Sequence, residues 1–386
     1  MTPLDHGPIF IVAGETSGDV LAAGLIAEAK RRDPSVRFMG IGGPKMRAAG
    51  CELIDDAHAL AVMGFVEVIK HLPALFALRA KAKKAALAAG CRLFVGVDAP
   101  EFNLSLARHL ARHGLRCVQY VSPQVWAWRS KRVFAMKRYL AHVLCLLPFE
   151  CPIYDQADLK ATFVGHPAAD RLPLEPDRVG ARRALGIAES ATVLAVLPGS
   201  RRQEVQLLIA TFLEAARLLQ QRRGPLTVVI PVANDQVRVL IDAAVAAQPE
   251  LVIQVIDGHS GEVLAASDVV LVASGTATLE TLLSKRPMVV AYRSSALTAW
   301  LLRTFGLMKA PFFAQPNLLA GRRVVEEWFQ EAVTPERLAA DLQVWLDHPE
   351  RVRELQAVFA RIHEQLKKDA SVQAAAVVMA EWHRSG

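Results

Sequence analysis

FVGVDAPEFN, Phe94 to Asn103, is the stretch that decides how the chain is read. The largely apolar run from Phe94 to Val97 is what a buried parallel strand shows, and it stops at Asp98, followed by Ala99, Pro100 and helix-forming residues. Open α/β sheets bind ligands outside the carboxyl ends of their strands, so Asp98 stands where a general base would be useful. Capping a helix that starts near Phe102 is an equally sufficient reason for the same aspartate.

Working outward, the first half alternates strand and helix. Pro8 to Ala13 reads as a strand, Gly14-Glu15-Thr16-Ser17-Gly18-Asp19 as a tight polar turn, and Val20 to Arg32 as an amphipathic helix. Arg37 to Gly43, RFMGIGG, reads as a second strand whose glycines would let the backbone approach a ligand. Beyond Asp98 come a helix at Leu104 to His113 and strands at Arg116 to Val121, His142 to Pro148 and Ala161 to Pro167. His166 has no metal-spaced partner and reads as structural. Such alternation implies right-handed βαβ units and a parallel sheet, with the GETSGD turn on the same edge as Asp98.

A composition shift at Ala168 to Asp177, rich in Ala, Pro and Asp, marks a linker, and a second α/β unit begins at Thr192. TVLAVLPGSRRQEV, Thr192 to Val205, is a strand leading through Pro198-Gly199-Ser200 into a helix with Arg201 and Arg202 at its first turn. Amide groups at a helix start together with two guanidinium groups make an anion site. Strands follow at Leu226 to Val232 and Leu251 to Ile256. VVLVASGTATLETLLSKRP, Val269 to Pro287, then ends a buried strand in Ser274-Gly275-Thr276, a phosphate cradle opening the helix that carries Glu280, which could accept from ribose hydroxyls. An ordinary N-cap explains the small polar residues but not the recurrence of two anion sites in one half. Neither GxGxxG nor GK[ST] occurs, which argues against dinucleotide chemistry and a P-loop. Asn317 follows a proline in a loop, where a plain turn is the default. Pro335 to Gly386 reads as helical.

The composition fits this organisation. A chain of 386 residues that is 52% hydrophobic is globular and too long for one ordinary core. A net charge of +7 favours anionic partners without choosing among them. The N-terminus lacks the basic region of a signal peptide, and nothing reaches the roughly 18 apolar residues of a spanning helix. Five cysteines without a CxxC read as reduced thiols of a cytoplasmic protein.

Two further segments carry competing readings. Ala59 to Ala89 contains Val62, Met63, Phe65, Val66 and Phe76, followed by Arg79, Lys81, Lys83 and Lys84, an apolar surface rimmed by cations as a membrane-lying element shows. Two ordinary helices split at Pro73 account for it as well. Ser122 to Arg138 interleaves Trp126 and Trp128 with Arg129, Lys131, Arg132, Lys137 and Arg138, which suits either nucleic acid or a phosphorylated sugar. The surrounding strand and helix pattern matches no nucleic-acid module, so nucleic acid is not the expected partner.

IVAGETSGD, FMGIGGPKM, GVDAPEFN, YVSPQVWAWR, FVGHP, LPGSRRQEV and SGTATLE, in this order and spacing, resemble the lipid-A-disaccharide synthase family of inverting GT-B glycosyltransferases over essentially the whole chain. The resemblance implies two Rossmann-like domains facing across a cleft, residues 1–170 for the acceptor and 171–365 for the UDP-sugar, with a terminal helix, 366–386, returning to the first. It implies transfer from UDP-2,3-diacylglucosamine to 2,3-diacylglucosamine 1-phosphate, giving a β-1,6 disaccharide phosphate and UDP. Asp98 would then be the base, with Glu15 beside it, and Gly14, Ser17, Gly18 and Arg129 would lie on the acceptor side. Ser200, Arg201, Glu204, Ser274, Gly275, Thr276, Glu280 and Asn317 would hold the donor. No metal and no further cofactor is expected, since those groups meet the leaving-group charge. Acylated substrates favour membrane contact through Val62, Met63, Phe65, Val66 and Phe76, hence peripheral attachment to the cytoplasmic face of the inner membrane. A homodimer is compatible with the resemblance. A UDP-N-acetylglucosamine 2-epimerase and a peptidoglycan-type glycosyltransferase share the same frame and are the alternatives.

Overall fold

A computed structural model describes residues 7–14, 16–56, 68–123, 125, 132–294 and 311–385, with the side chains of 68–72 not among them. The chain forms two compact units, Met1–Asp170 with Leu366–Gly386, and Arg171–Gln365.

The first unit is built on a 7-stranded sheet of order β3-β2-β1-β4-β5-β6-β7. Its strands are β1 (Ile9–Ala13), β2 (Phe38–Gly42), β3 (Cys51–Asp56), β4 (Leu93–Val97), β5 (Arg116–Tyr120), β6 (His142–Cys145) and β7 (Ala161–Phe163), and every pairing is parallel. The central strands β1 and β4 are buried throughout, which is why they read as unbroken apolar runs. One face packs against helices Val68–Ala88 and Pro100–Ala111 through Leu75, Leu78, Phe102 and Leu106. The other packs against helices Thr16–Arg32 and Ala370–His383 through Leu25, Ile26, Ala374 and Val378.

Three expectations change here. Thr16 to Asp19 is not a turn but the first turn of the helix Thr16–Arg32. Pro73 does not split its segment: Val68–Ala88 is one helix, with the proline in its second turn, close enough to the N-terminus that little of the ladder is lost. The glycines of RFMGIGG serve packing rather than a ligand. A Cβ on Gly40, at φ 154°, would lie 1.8 Å from the carbonyl oxygen of Ile11, and one on Gly43 would meet the Asp19 carboxylate at 2.6 Å.

The terminal helix is fastened to the starts of β5 and β6 by Glu381, whose side chain is 1% exposed. It accepts from Arg116 Nε at 3.0 Å, Arg384 Nη1 at 3.1 Å and His142 Nδ1 at 3.2 Å, while His142 Nε2 meets Thr162 Oγ1 at 2.8 Å. Burial pushes the Glu381 carboxyl up, but the hydrogen bonds from Arg116 and His142 outweigh it and hold the group below its ordinary value. Burial holds His142 below the ordinary imidazole value. Both groups therefore bind protons less readily folded than unfolded, so their stabilisation is present above the unfolded values and lost as pH falls. We expect the thermal midpoint to hold above about pH 6.5 and decline below it, His142 first and Glu381 at lower pH. A midpoint that stays flat from pH 7.5 to 4 would contradict this.

The second unit has a 6-stranded sheet of order β10-β9-β8-β11-β12-β13. Its strands are β8 (Val193–Leu197), β9 (Thr227–Val232), β10 (Val252–Asp257), β11 (Val269–Ala273), β12 (Met288–Tyr292) and β13 (Glu326–Phe329), again all parallel. Among the described residues no helix is long and apolar enough to cross a membrane.

Candidate functional site

Each sheet changes direction of strand progression at one place, and ligands of open α/β sheets bind there. In the first sheet the place lies between β1 and β4, which run side by side with Ala13 opposite Val97. The chain therefore leaves β1 at Gly14 and β4 at Asp98 as neighbours. Gly14 is buried, Ser17 is exposed, and a Cβ on buried Gly18 would stand 3.5 Å from the Val97 carbonyl oxygen. Glu15 lies outside the described residues. Asp19, buried at 3% exposure, accepts from the amides of Gly43, Lys45 and Met46 and so ties the start of the helix Pro44–Ala48, after β2, to the first turn of the helix Thr16–Arg32, after β1.

The helix that follows runs Pro100–Ala111, and its N-cap position is held by Ala99 rather than by Asp98. Asp98 and Ala99 lie in the left-handed region, at φ 52° and 39°, which costs an alanine on the order of 1–2 kcal/mol. Backbone strain of this kind persists where surrounding contacts enforce it. Two buried amides do so: the Asp98 carbonyl accepts from Asn103 Nδ2 at 2.8 Å and Gln119 Nε2 at 3.1 Å, and the Asp98 amide donates to Tyr120 O at 2.9 Å. Asn103 and Gln119 are 0% and 1% exposed, and both lie over Gly96. A Cβ there would stand 2.8 Å from Asn103 Cβ and 2.9 Å from Gln119 Oε1. Gly96→Ala is thus expected to dislodge one amide and shift Asp98, lowering kcat about tenfold or more while the chain stays folded. Unaltered steady-state kinetics in a folded Gly96→Ala protein would contradict that.

In the second sheet the reversal lies between β8 and β11, paired with Leu197 opposite Val272. Ser200 and Arg201 follow the first strand; Ser274, Gly275 and Thr276 follow the second. The helix Thr276–Leu283 has Gly275 as N-cap and no side-chain cap, so a plain Ser or Thr cap is not what opens it. Nothing lies within 4 Å of where a Gly275 Cβ would be, which leaves its first amides open to an anion. The other helix, Arg202–Arg223, differs: Arg201 is its N-cap, and Glu204 already accepts from the amides of Ser200 at 3.3 Å and Arg201 at 3.4 Å. These bonds are long, and the carboxylate occupies the position the sequence reading gave to a phosphate.

Glu280, one turn into its helix, lines a cavity of about 830 Å³ with Arg171, His259, Glu262, Leu283 and Ser284. Burial raises the Glu280 pKa above the ordinary carboxylate value, against the pull of Arg171 at 3.8 Å. Asn317 is fully buried; its Nδ2 donates to Val325 O at 3.0 Å and its Oδ1 accepts from the amides of Val324 and Val325. Its amide is committed to the chain's own backbone.

Of the remaining sequence candidates, Arg129, Val62, Met63, Phe65 and Val66 lie outside the described residues, as do Trp126 and Trp128. Phe76 is described and is 59% exposed on Val68–Ala88. Sequence reading passed over Asn103, Gln119, Asp19 and His259. A signal existed for the first, a polar residue on the apolar face of a helix, and for the last, which follows Gly258 at the end of β10.

Comparison with known proteins bears on this geometry. A family model described as lipid-A-disaccharide synthetase matches residues 9–381. A lipid-A-disaccharide synthase of Xanthomonas campestris pv. campestris is 46% identical over 372 residues, covering 96% of this chain and 85% of that protein. One of Pectobacterium atrosepticum is 45% identical over 374 residues, covering 96% and 97%. Among solved structures, MurG of Acinetobacter baumannii has a TM-score of 0.57 at 15% identity, covering 97% of this chain and 99% of that one. UDP-GlcNAc 2-epimerase of Neisseria meningitidis has a TM-score of 0.64 at 11% identity, covering 98% and 100%. The structural likenesses carry the GT-B fold alone, so they do not separate a transferase from an epimerase. The sequence matches do, and the chain belongs to the lipid-A-disaccharide synthetase family.

Proposed function

We propose that this hexosyltransferase of lipid A biosynthesis joins UDP-2,3-diacylglucosamine to 2,3-diacylglucosamine 1-phosphate, releasing UDP. The observation that supports it best is that the motif segments end at the two sheet reversals, Gly14 to Gly18 with Asp98 at one and Ser200 to Glu204 with Ser274 to Thr276 at the other. In this reading the acceptor 6-hydroxyl gives its proton to the Asp98 carboxylate while its oxygen attacks the anomeric carbon. The bond from that carbon to the diphosphate breaks, and its electron pair leaves with UDP. The departing charge is met by Arg201 and by the uncapped helix start at Thr276, without a metal or a further cofactor. Glu204 holds the Ser200 and Arg201 amides until the diphosphate competes for them. Glu280 and the cavity beside it take the ribose side, and Asn317 acts on the donor through the loop it braces.

Acylated substrates, exposed Phe76 and the nearby Lys81 and Lys84 support peripheral attachment at the cytoplasmic face of the inner membrane. The test is release of UDP from UDP-2,3-diacylglucosamine with each acceptor in turn. Release with 2,3-diacylglucosamine 1-phosphate and not with a lipid-linked muramyl acceptor is expected. Release with the muramyl acceptor, or epimerisation of UDP-N-acetylglucosamine, overturns the reading.

A further inference from the structure

Three cations around the helices Val68–Ala88 and Pro100–Ala111 are matched to carboxylates: Lys81 to Asp55 at 2.8 Å, Arg132 to Glu101 at 2.7 Å and Lys137 to Asp158 at 2.7 Å. Arg79 is different. Its guanidinium carbon lies 5.4 Å from the ring of Phe76 and 5.3 Å from the ring of Phe102, and its Nε is buried with no hydrogen-bond partner. Among the described residues it makes no ion pair. Two aromatic faces hold a guanidinium well, but they leave its edge donors unused, and a half-buried cation without an anion is costly. Burial alone draws its pKa below the ordinary arginine value.

The position matters as much as the vacancy in pairing. Phe102 lies in the first turn of the helix that follows Asp98, its amide bonded to Ala99 O at 3.1 Å, so the Arg79 head lies against a residue of that first turn. On the other side Phe76 is 59% exposed and offers apolar surface. A guanidinium held over two rings with its Nε buried keeps its two Nη groups as the donors for a tetrahedral anion such as phosphate. We propose that Arg79 receives the phosphate of an acylated ligand, with Phe76 against its apolar part. This rests on reading the Asp98 neighbourhood as the acceptor side. The phosphate could belong to the acceptor sugar or to a bilayer headgroup, and the two sources are separable.

Two measurements decide it, both made without turnover, so that a failed transferase reading and a failed Arg79 assignment show separately. One is equilibrium binding of 2,3-diacylglucosamine 1-phosphate in detergent micelles; the other is sedimentation with phosphatidylcholine vesicles with and without phosphatidylglycerol. Arg79→Met is expected to weaken one or both by about tenfold to a hundredfold, the worth of a charge-assisted bond. Loss confined to micelles assigns the sugar phosphate, and loss confined to anionic vesicles assigns the headgroup. No change in either overturns the assignment. Melting and UDP titration run alongside. Should Arg79→Met melt early, Arg79→Lys, which keeps the charge but not the paired donors, is expected to bind several-fold more weakly, and unchanged binding in it overturns the assignment.

Discussion

Asp98→Asn is expected to lower kcat by about 10²–10⁴-fold, the range a positioned general base contributes, while UDP binding stays as it was. The substitution suits this site because asparagine adopts the left-handed region as readily as aspartate, so a φ of 52° adds no strain. The carbonyl that anchors the loop to Asn103 and Gln119 is backbone and is kept. What is lost is the capacity to take a proton. UDP release kinetics and a calorimetric UDP titration on the same preparation separate the two effects. Near-normal turnover would remove Asp98 from the base role, and a parallel loss of UDP affinity would mean that the substitution acts on the fold.

Arg182→Met is expected to cost the second unit about 3–5 kcal/mol, the sum of several buried backbone carbonyls left without a donor at about 1–3 kcal/mol each. Arg182 is 0% exposed. Its Nε donates to Ala266 O at 2.9 Å, its Nη1 to Ala191 O at 2.9 Å and Ala188 O at 3.3 Å, and its Nη2 to Asp268 Oδ2 at 2.8 Å. Asp268 also accepts from the Val193 amide at 2.8 Å and from Arg178 at 2.7 Å. One side chain thus joins the helix Arg178–Ala184 to the starts of β8 and β11. Methionine fills the space of the stem but satisfies none of these oxygens. Denaturant unfolding should show the loss, and a midpoint like that of the starting protein would contradict it.

How much of this the sequence disclosed follows from how local each signal is. β4 and β11 are buried on both faces, so VGV before Asp98 and VVLVA before Ser274 were legible as strands and fixed where the candidate groups emerge. β3 and β13, CELIDD and EEWF, lie at sheet edges and carry carboxylates, so nothing in their pattern announced a strand. Asp19 looked like part of a polar turn because its partners, Gly43 to Met46, are more than twenty residues away in sequence. The glycines of β2 invited a ligand reading because sequence cannot show that the Ile11 carbonyl already fills the space beside Gly40. Glu204 belongs to the same class: its value to an anion site depends on which amides it already holds. Motif order conveyed the chemistry that these non-local contacts conceal.

The most direct test of the central claim is the anomeric configuration of the product formed by the purified chain from UDP-2,3-diacylglucosamine and 2,3-diacylglucosamine 1-phosphate, read from the one-bond carbon–proton coupling at the new linkage. A single displacement with Asp98 as base predicts UDP and disaccharide 1-phosphate in equal amounts, with a β linkage inverted from the donor. An α linkage, or UDP released without a disaccharide, would contradict it.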